Sequence, residues 1–504
     1  MEGVTQLEKK PSGFGTRVGF ELAAAGSAVG LGNIWGFPYK TSANGGAAYL
    51  FVYLLCILLI GAVAMLAEFQ IGRNARANPV SAMKAVSPKL GAFGLLAVLI
   101  PVLIMCYYFV LGGYTLKYAL SSFSGNTGMF PTFTANTGDV ILHTALFALA
   151  AFAIVSAGVR GGIEKSSKIL IPTMLVSLIV ISCFTLMLGS GVKEGLAFYL
   201  KPDFRALTWS GVLSAMGQAF FSLSLGCGAM ISYGSYTGRK VNLLRSTAVI
   251  CLIDAVITFM IGLAIFPALF HYIAVSGIPA AELGMGGIGL VFITLPMVFE
   301  EMPYIGACVS LLFFGMTAIA ALTSVISILE VATQFVLQCY RLYRGHAALL
   351  ITCFCVILSI PVGLSIGSSF AGGNFLQFHG RNLLELLDAV TNTILMPVCA
   401  LAACVAAGWF LKEKLSPAVS VMMKFITPLL IILIELFGVM DLAGSYGGTA
   451  VLGAALAVLL AAFLAYYALY RKRDTGSNDV EAAVFAQELK RRKDGPARSW
   501  QRTE

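Results

Sequence analysis

Long apolar stretches alternate with short polar ones from one end of this chain to the other. A bilayer span needs about 20 apolar residues. Twelve stretches have that character, near residues 16–41, 46–71, 91–124, 140–157, 166–190, 211–236, 242–272, 304–339, 346–366, 383–411, 420–440 and 448–470. The pattern predicts an all-α integral membrane protein with 12 transmembrane helices, a polar arm over 1–15 and a polar tail over 471–504. A short amphipathic helix near 479–493 fits the tail's pattern.

Two of the twelve stretches are interrupted. Residues 21–38 read ELAAAGSAVGLGNIWGFP, with AGSAVGLGN in the middle. Each Gly weakens a helix by roughly 1 kcal/mol, so the helix is expected to break at mid-membrane depth. Backbone groups freed there cannot bond to water in lipid, so they line a cavity or bind something. A Gly-rich helix packed tightly on a neighbour is the other reading of this stretch alone. Residues 218–236, QAFFSLSLGCGAMISYGSY, repeat the pattern around SLSLGCG. Two interrupted helices at corresponding places in two halves of a chain mark a secondary transporter built from inverted repeats.

Composition sharpens this picture. Of the 504 residues, 58% are hydrophobic and 11% charged, against about 25% charged in soluble proteins. Met1 to Lys10 is polar, so no cleavable leader is expected. The 11 cysteines fall in apolar stretches without CxxC spacing and the 4 histidines are scattered, which argues against a disulfide scaffold or a zinc centre. No phosphate loop, nucleophile elbow or HExxH appears, so no enzyme is expected. Alternating the spans places 27 of the 33 Lys and Arg on one side. The positive-inside rule then puts both termini in the cytoplasm, and the expected location is the plasma (inner) membrane. On this reading the formal charge of +9 belongs to loops and tail and implies no nucleic-acid partner.

GSAVGLGNIWGFP and GQAFFSLSLGCGAMISYGSY resemble the first and sixth helices of the neurotransmitter:sodium symporter family. The resemblance is strongest to its prokaryotic amino-acid transporters, and it runs from about Gly15 to the end of the last span. It implies the leucine-transporter fold: a 5+5 inverted repeat over 16–190 and 211–411 with helices 1 and 6 broken, then two further helices over 420–470. It also implies sodium-coupled uptake of an L-amino acid by alternating access.

Carried over position by position, the resemblance implies a first sodium site at Ala28, Asn33, Ser222 and Asp254. A second would use Gly26, Val29, Ala320, Thr323 and Ser324. Between them the substrate carboxylate would meet the amides of Leu31 and Gly32 and the hydroxyl of Tyr108. The ammonium would meet carbonyls of Ala28, Phe221 and Ser222 and the hydroxyl of Ser224. The side chain would face Ile104, Phe221, Cys227, Ser327 and Ile328, with Ser324 alongside. Monoamine carriers of the family have Asp where this chain has Gly30, so Gly30 favours a substrate with its own carboxylate. Cys227 stands where relatives often have Phe, which points to a large apolar or aromatic side chain. Tyr108 and Phe221 would close over the substrate. Glu68 would brace the unwound part of the sixth helix, and the Gly162-x9-Pro172 spacing would let the fifth helix unwind.

Periodicity supports part of this. Ile104 and Tyr108 lie one turn apart, and Ala320, Thr323, Ser324, Ser327 and Ile328 share one helical face. An unpaired Asp254 in an apolar span is expected to be neutral or bound to a cation.

The chain departs from the family at three places. Pro11 and Phe14 stand where the arm of relatives carries Arg and Trp. Relatives have Asn at Asp254. They also have Arg at Gly36, paired with the acid at Asp388; here Lys40, one turn further on, is the nearest cation. Tyr53, Gln218, Ser222 and Thr258 would suit a chloride ion, but the carboxylate of Asp254 makes chloride unnecessary on this reading. A betaine-like zwitterion as cargo, and a sensor that binds without transporting, remain alternatives. Oligomeric state is left open.

Overall fold

The computed structural model describes residues 13–445, apart from 126–127, 279–287, 303–304, 341, 371, 374, 379–380 and 412–414, together with residues 453 and 456. Among them, nine helices are long and apolar enough to cross a membrane. They correspond to the expected second to fifth and seventh to eleventh spans: Ala47–Ala75, Pro88–Leu120, Thr137–Ser156, Val159–Leu186, Leu243–Ser276, Gly306–Tyr340, Arg344–Ser369, Leu383–Phe410 and Pro417–Met440. The first and sixth spans are each two half-helices. The expected twelfth span apart from residues 453 and 456, the residues of the arm before Gly13 and the tail lie outside the described residues.

The first span runs as Arg17–Ala28, then resumes after Leu31 through a π turn, Gly32–Gly36, into Phe37–Ala43. Thr16 caps its start, accepting from the Gly19 amide at 3.0 Å. Val29 is extended at φ −80°, ψ 100°, which ends the first half. The sixth span runs Trp209–Ser222 and Ala229–Ser235. Between the halves Ser224, Gly226 and Gly228 all have positive φ, a conformation that suits Gly and strains Ser.

Interior and lipid-facing helices divide by burial. The most apolar stretch of the third span is 83% buried and that of the eighth 67%, against 33% in the fifth and 28% in the eleventh. The third and eighth therefore form the spine against which the broken helices sit. Short helices link the spans at Pro79–Val86, Met129–Ala135 and Val192–Leu200. The segment GLVFITLPMVF forms a short apolar helix over Leu290–Glu300.

Candidate functional site

The two breaks face each other at the centre of the molecule. Ser224 Oγ donates to the Ser27 carbonyl at 2.7 Å, joining one broken helix to the other. The sixth-helix break is held from outside by Glu68, fully buried, whose Oε1 accepts from the Gly226 amide at 2.7 Å.

A cavity opens between the breaks. Its wall includes Ala28, Gly30, Gly32, Asn33, Ile104, Tyr108, Phe221, Ser224, Cys227, Ser324 and Ile328, all expected from the sequence. The Tyr108 hydroxyl faces the amides of Leu31 and Gly32 at the start of the second half-helix, where the helix dipole favours an anion. Two glycines are fixed by close approach. A Cβ at Gly30 would lie 2.6 Å from Ser324 Oγ and 3.1 Å from the Tyr108 hydroxyl. At Gly32 it would lie 2.2 Å from the Phe221 ring.

Ser327 differs from expectation. It is fully buried behind the wall, where its hydroxyl accepts from Ser27 at 2.7 Å and donates to the Ser324 carbonyl at 2.7 Å. It therefore offers no free hydroxyl to a polar substrate tip. Leu31 and Ser222 likewise do not line the cavity with their side chains; Leu31 contributes its backbone. Two wall residues, Ser27 and Met396, were not expected. Ser27 lies inside the AGSAVGLGN stretch and could have been read from it. Met396, in the tenth span, carries no polar signal.

At the first expected sodium site, polar groups converge on Asp254, which is fully buried. Ser222 Oγ lies within 2.9 Å of both carboxylate oxygens, Asn33 Nδ2 donates to Oδ1 at 3.0 Å, and the Tyr53 hydroxyl donates to Oδ2 at 3.2 Å. Asn33 also donates to Ser222 and Thr258, each at 2.7 Å. Its Oδ1 accepts from the Gly30 amide at 3.1 Å, which orients the side-chain amide. At the second, Ser324 Oγ sits 3.3–3.4 Å from the carbonyls of Gly26, Ser27 and Val29. Thr323 Oγ1 donates to the Ala320 carbonyl at 3.0 Å and the Ile319 carbonyl at 3.1 Å. Both donor sets are oxygen-rich, as a hard cation requires. In the second, one hydroxyl shared among three carbonyls at long range marks acceptors in excess of donors.

Lys40 makes no direct ion pair with Asp388, although the two charges lie close enough to interact. Its ammonium donates to Gln218 Oε1 at 2.8 Å, and Gln218 Nε2 donates to the Gly32 carbonyl at 2.9 Å. Asp388 instead accepts from Asn392, one turn along its own helix. A Cβ at Gly36 would lie 3.4 Å from Gln218 Oε1, an ordinary contact, so the Gln218 amide sits beside the position where an arginine was expected. Gly162 and Pro172 lie in the fifth span, whose first turn, Val159–Glu164, is π-wound.

A model of the sodium:neurotransmitter symporter family matches residues 12–129 and 129–443. An uncharacterized sodium-dependent transporter of Haemophilus influenzae is 31% identical over 471 residues, 86% of this chain and 99% of the relative. YhdH of Bacillus subtilis, also an uncharacterized sodium-dependent transporter, is 33% identical over 410 residues, 78% of this chain and 87% of its own length. The crystal structure of MhsT in complex with L-phenylalanine is similar with a TM-score of 0.76 and 36% identity, covering 85% of this chain and 99% of that chain.

Proposed function

Because the chain belongs to the sodium:neurotransmitter symporter family and is a sodium-coupled, multi-pass membrane transporter of a small molecule, we propose that it takes up an L-amino acid with a large apolar or aromatic side chain. The observation that carries this reading is the Tyr108 hydroxyl facing the amides of Leu31 and Gly32 at one end of an apolar cavity. That end suits a carboxylate, and the apolar wall residues Ile104, Phe221, Cys227, Ile328 and Met396 suit an apolar side chain. Gly30 has no room for an acidic side chain, so the carboxylate comes from the substrate.

Two sodium ions are cargo in this scheme. The first is held by the carbonyl of Ala28 with Asn33, Ser222 and Asp254. The second is held by the carbonyls of Gly26, Val29 and Ala320 with the hydroxyls of Thr323 and Ser324. Ala28, Asn33 and Gly30 border both cavity and first cluster, so sodium and substrate raise each other's affinity by one shared factor. Access alternates as one group of helices rocks against the rest, with both termini in the cytoplasm.

The test is uptake into proteoliposomes of a labelled hydrophobic amino acid, competed by each of the twenty, in sodium and in potassium. Concentrative uptake only in sodium, competed best by large apolar or aromatic amino acids, is expected. Undiminished uptake in potassium, or competition by betaines alone, overturns the reading; saturable binding without uptake identifies a sensor.

A further inference from the structure

We propose that Glu164, at the start of the fifth span, is a positioning residue that latches the transport site shut on the side of the N-terminus. This rests on the transport reading. Glu164 is only 3% exposed, yet its carboxylate holds three donors. Oε2 accepts from the Gly15 amide at 2.6 Å, while Oε1 accepts from Thr16 Oγ1 at 2.7 Å and from Lys168 Nζ at 2.6 Å. Two of the three come from the first helix. Thr16 is also that helix's cap, so its hydroxyl passes the carboxylate's hold to the Gly19 amide. The first helix and the start of the fifth approach closely here. A Cβ at Gly19 would lie 2.3 Å from Glu164 Cγ, and one at Gly15 would lie 2.7 Å from Arg160 Nε, one turn before Glu164.

The same two helices border the second oxygen cluster. Ile171, two turns beyond Glu164, lies 3.0 Å from where a Cβ on Gly26 would sit, and the Gly26 carbonyl is one of the cluster's oxygens. A path from that cluster towards the N-terminal side therefore requires the first half-helix and the fifth helix to part. The fifth is built to yield. Gly158 at φ +90° precedes it, its first turn is π-wound, and Pro172 removes a backbone donor from its interior. Glu164 is the last residue of the π turn, ahead of Pro172 on the same helix, so unwinding of this stretch carries the carboxylate away from Gly15 and Thr16. The first helix is also tied to the seventh, where Ser246 Oγ donates to Glu21 Oε1 at 2.7 Å and Arg17 pairs with the same oxygen. Among the described residues, Glu164 makes the side-chain hydrogen bonds that join the start of the first helix to the segment that yields.

The experiment measures thiol labelling of purified full-length protein with Ser167→Cys as reporter, after replacement of the exposed Cys183, Cys308 and Cys353. Ser167 is buried beside the latch and bonds only within its own helix. In sodium-free buffer, Glu164→Gln and Glu164→Ala should label at least about tenfold faster than the parent, as expected for losing hydrogen bonds to a charged group. Thr16→Val, which leaves the carboxylate in place, should label several-fold faster. Lys168→Ala, which removes a partner on the same helix, should stay within about twofold of the parent. Parental labelling in the Glu164 variants, or Lys168→Ala as fast as Glu164→Ala, overturns the proposal. If Glu164→Ala fails to fold, Glu164→Gln and Thr16→Val decide by the same criteria. Sodium should slow labelling in the parent and in Thr16→Val; sodium without effect on either counts against the transport reading, not the latch.

Discussion

Ser222 Oγ lies 2.8 and 2.9 Å from the two carboxylate oxygens of Asp254, so one hydroxyl spans both. With the Tyr53 hydroxyl, 3.2 Å from Oδ2, it turns towards Asp254 the donors that would otherwise suit a chloride ion. The carboxylate occupies the cradle itself. A chloride 4 Å from it would be repelled by about 4 kcal/mol at an effective dielectric near 20, about a thousandfold in occupancy. Uptake should be unchanged when gluconate replaces chloride, and Asp254→Asn should regain activity only in chloride. A parent that stalls without chloride refutes this.

Cys227 sets the volume of the apolar end. Its side chain is buried in the cavity wall and its thiol lies 3.1 Å from the Ser224 carbonyl. Cys227→Phe should weaken binding of phenylalanine-sized substrates by tenfold or more, since overpacking costs about 1–3 kcal/mol, and should leave alanine-sized ones nearly unaffected. Competition titrations of both sizes check it; equal affinities for large substrates in parent and variant remove the pocket argument.

Lys40 acts on the Gly32 carbonyl through Gln218. Lys40→Ala should lower substrate affinity about tenfold, on the scale of one charge-assisted hydrogen bond, and speed labelling of a cysteine placed in the outer vestibule. Gly36→Arg in the same chain should restore part of both by returning a cation to the Gln218 amide. Unchanged uptake and labelling in Lys40→Ala would falsify the relay.

Glu68 is tested by stability. Glu68→Ala leaves the buried Gly226 amide unpaired, costing about 1–3 kcal/mol. Glu68→Gln keeps an acceptor and should cost less than about 1 kcal/mol. Thermal unfolding in detergent should therefore place Glu68→Ala clearly below Glu68→Gln; coincident transitions argue that the amide finds another partner.

The two breaks were legible because glycine and small polar residues in an apolar span have few other physical explanations. Most of the cavity wall followed from the family resemblance carried over position by position, which brought in Ile104, Tyr108, Ser324 and Ile328 from unbroken helices. What failed was knowledge of who bonds whom across the chain. Helical spacing placed Ser327 on the same face as Thr323 and Ser324, and so it is, but spacing says nothing of Ser27, 300 residues away, which takes up its hydroxyl. Lys40 looked nearest to Asp388 among cations, yet Gln218, from the other broken helix, reaches it first. Glu164 read as one more polar residue at the end of a span; only the fold shows its oxygens meeting Gly15 and Thr16.

The bend in the sixth helix has a further consequence. Gly226 is gripped from two sides: Glu68 of the second span holds its amide, and the Met396 carbonyl of the tenth lies 2.0 Å from where a Cβ would be. A backbone pinned in this way is a bracket, not a joint. Swivelling at Gly226 would strand a buried amide and drive two main chains together, so the two halves of the sixth helix keep their mutual angle when the carrier changes shape. In the proposed cycle, flexing is then expected in the first and fifth helices, with the sixth carried as a unit.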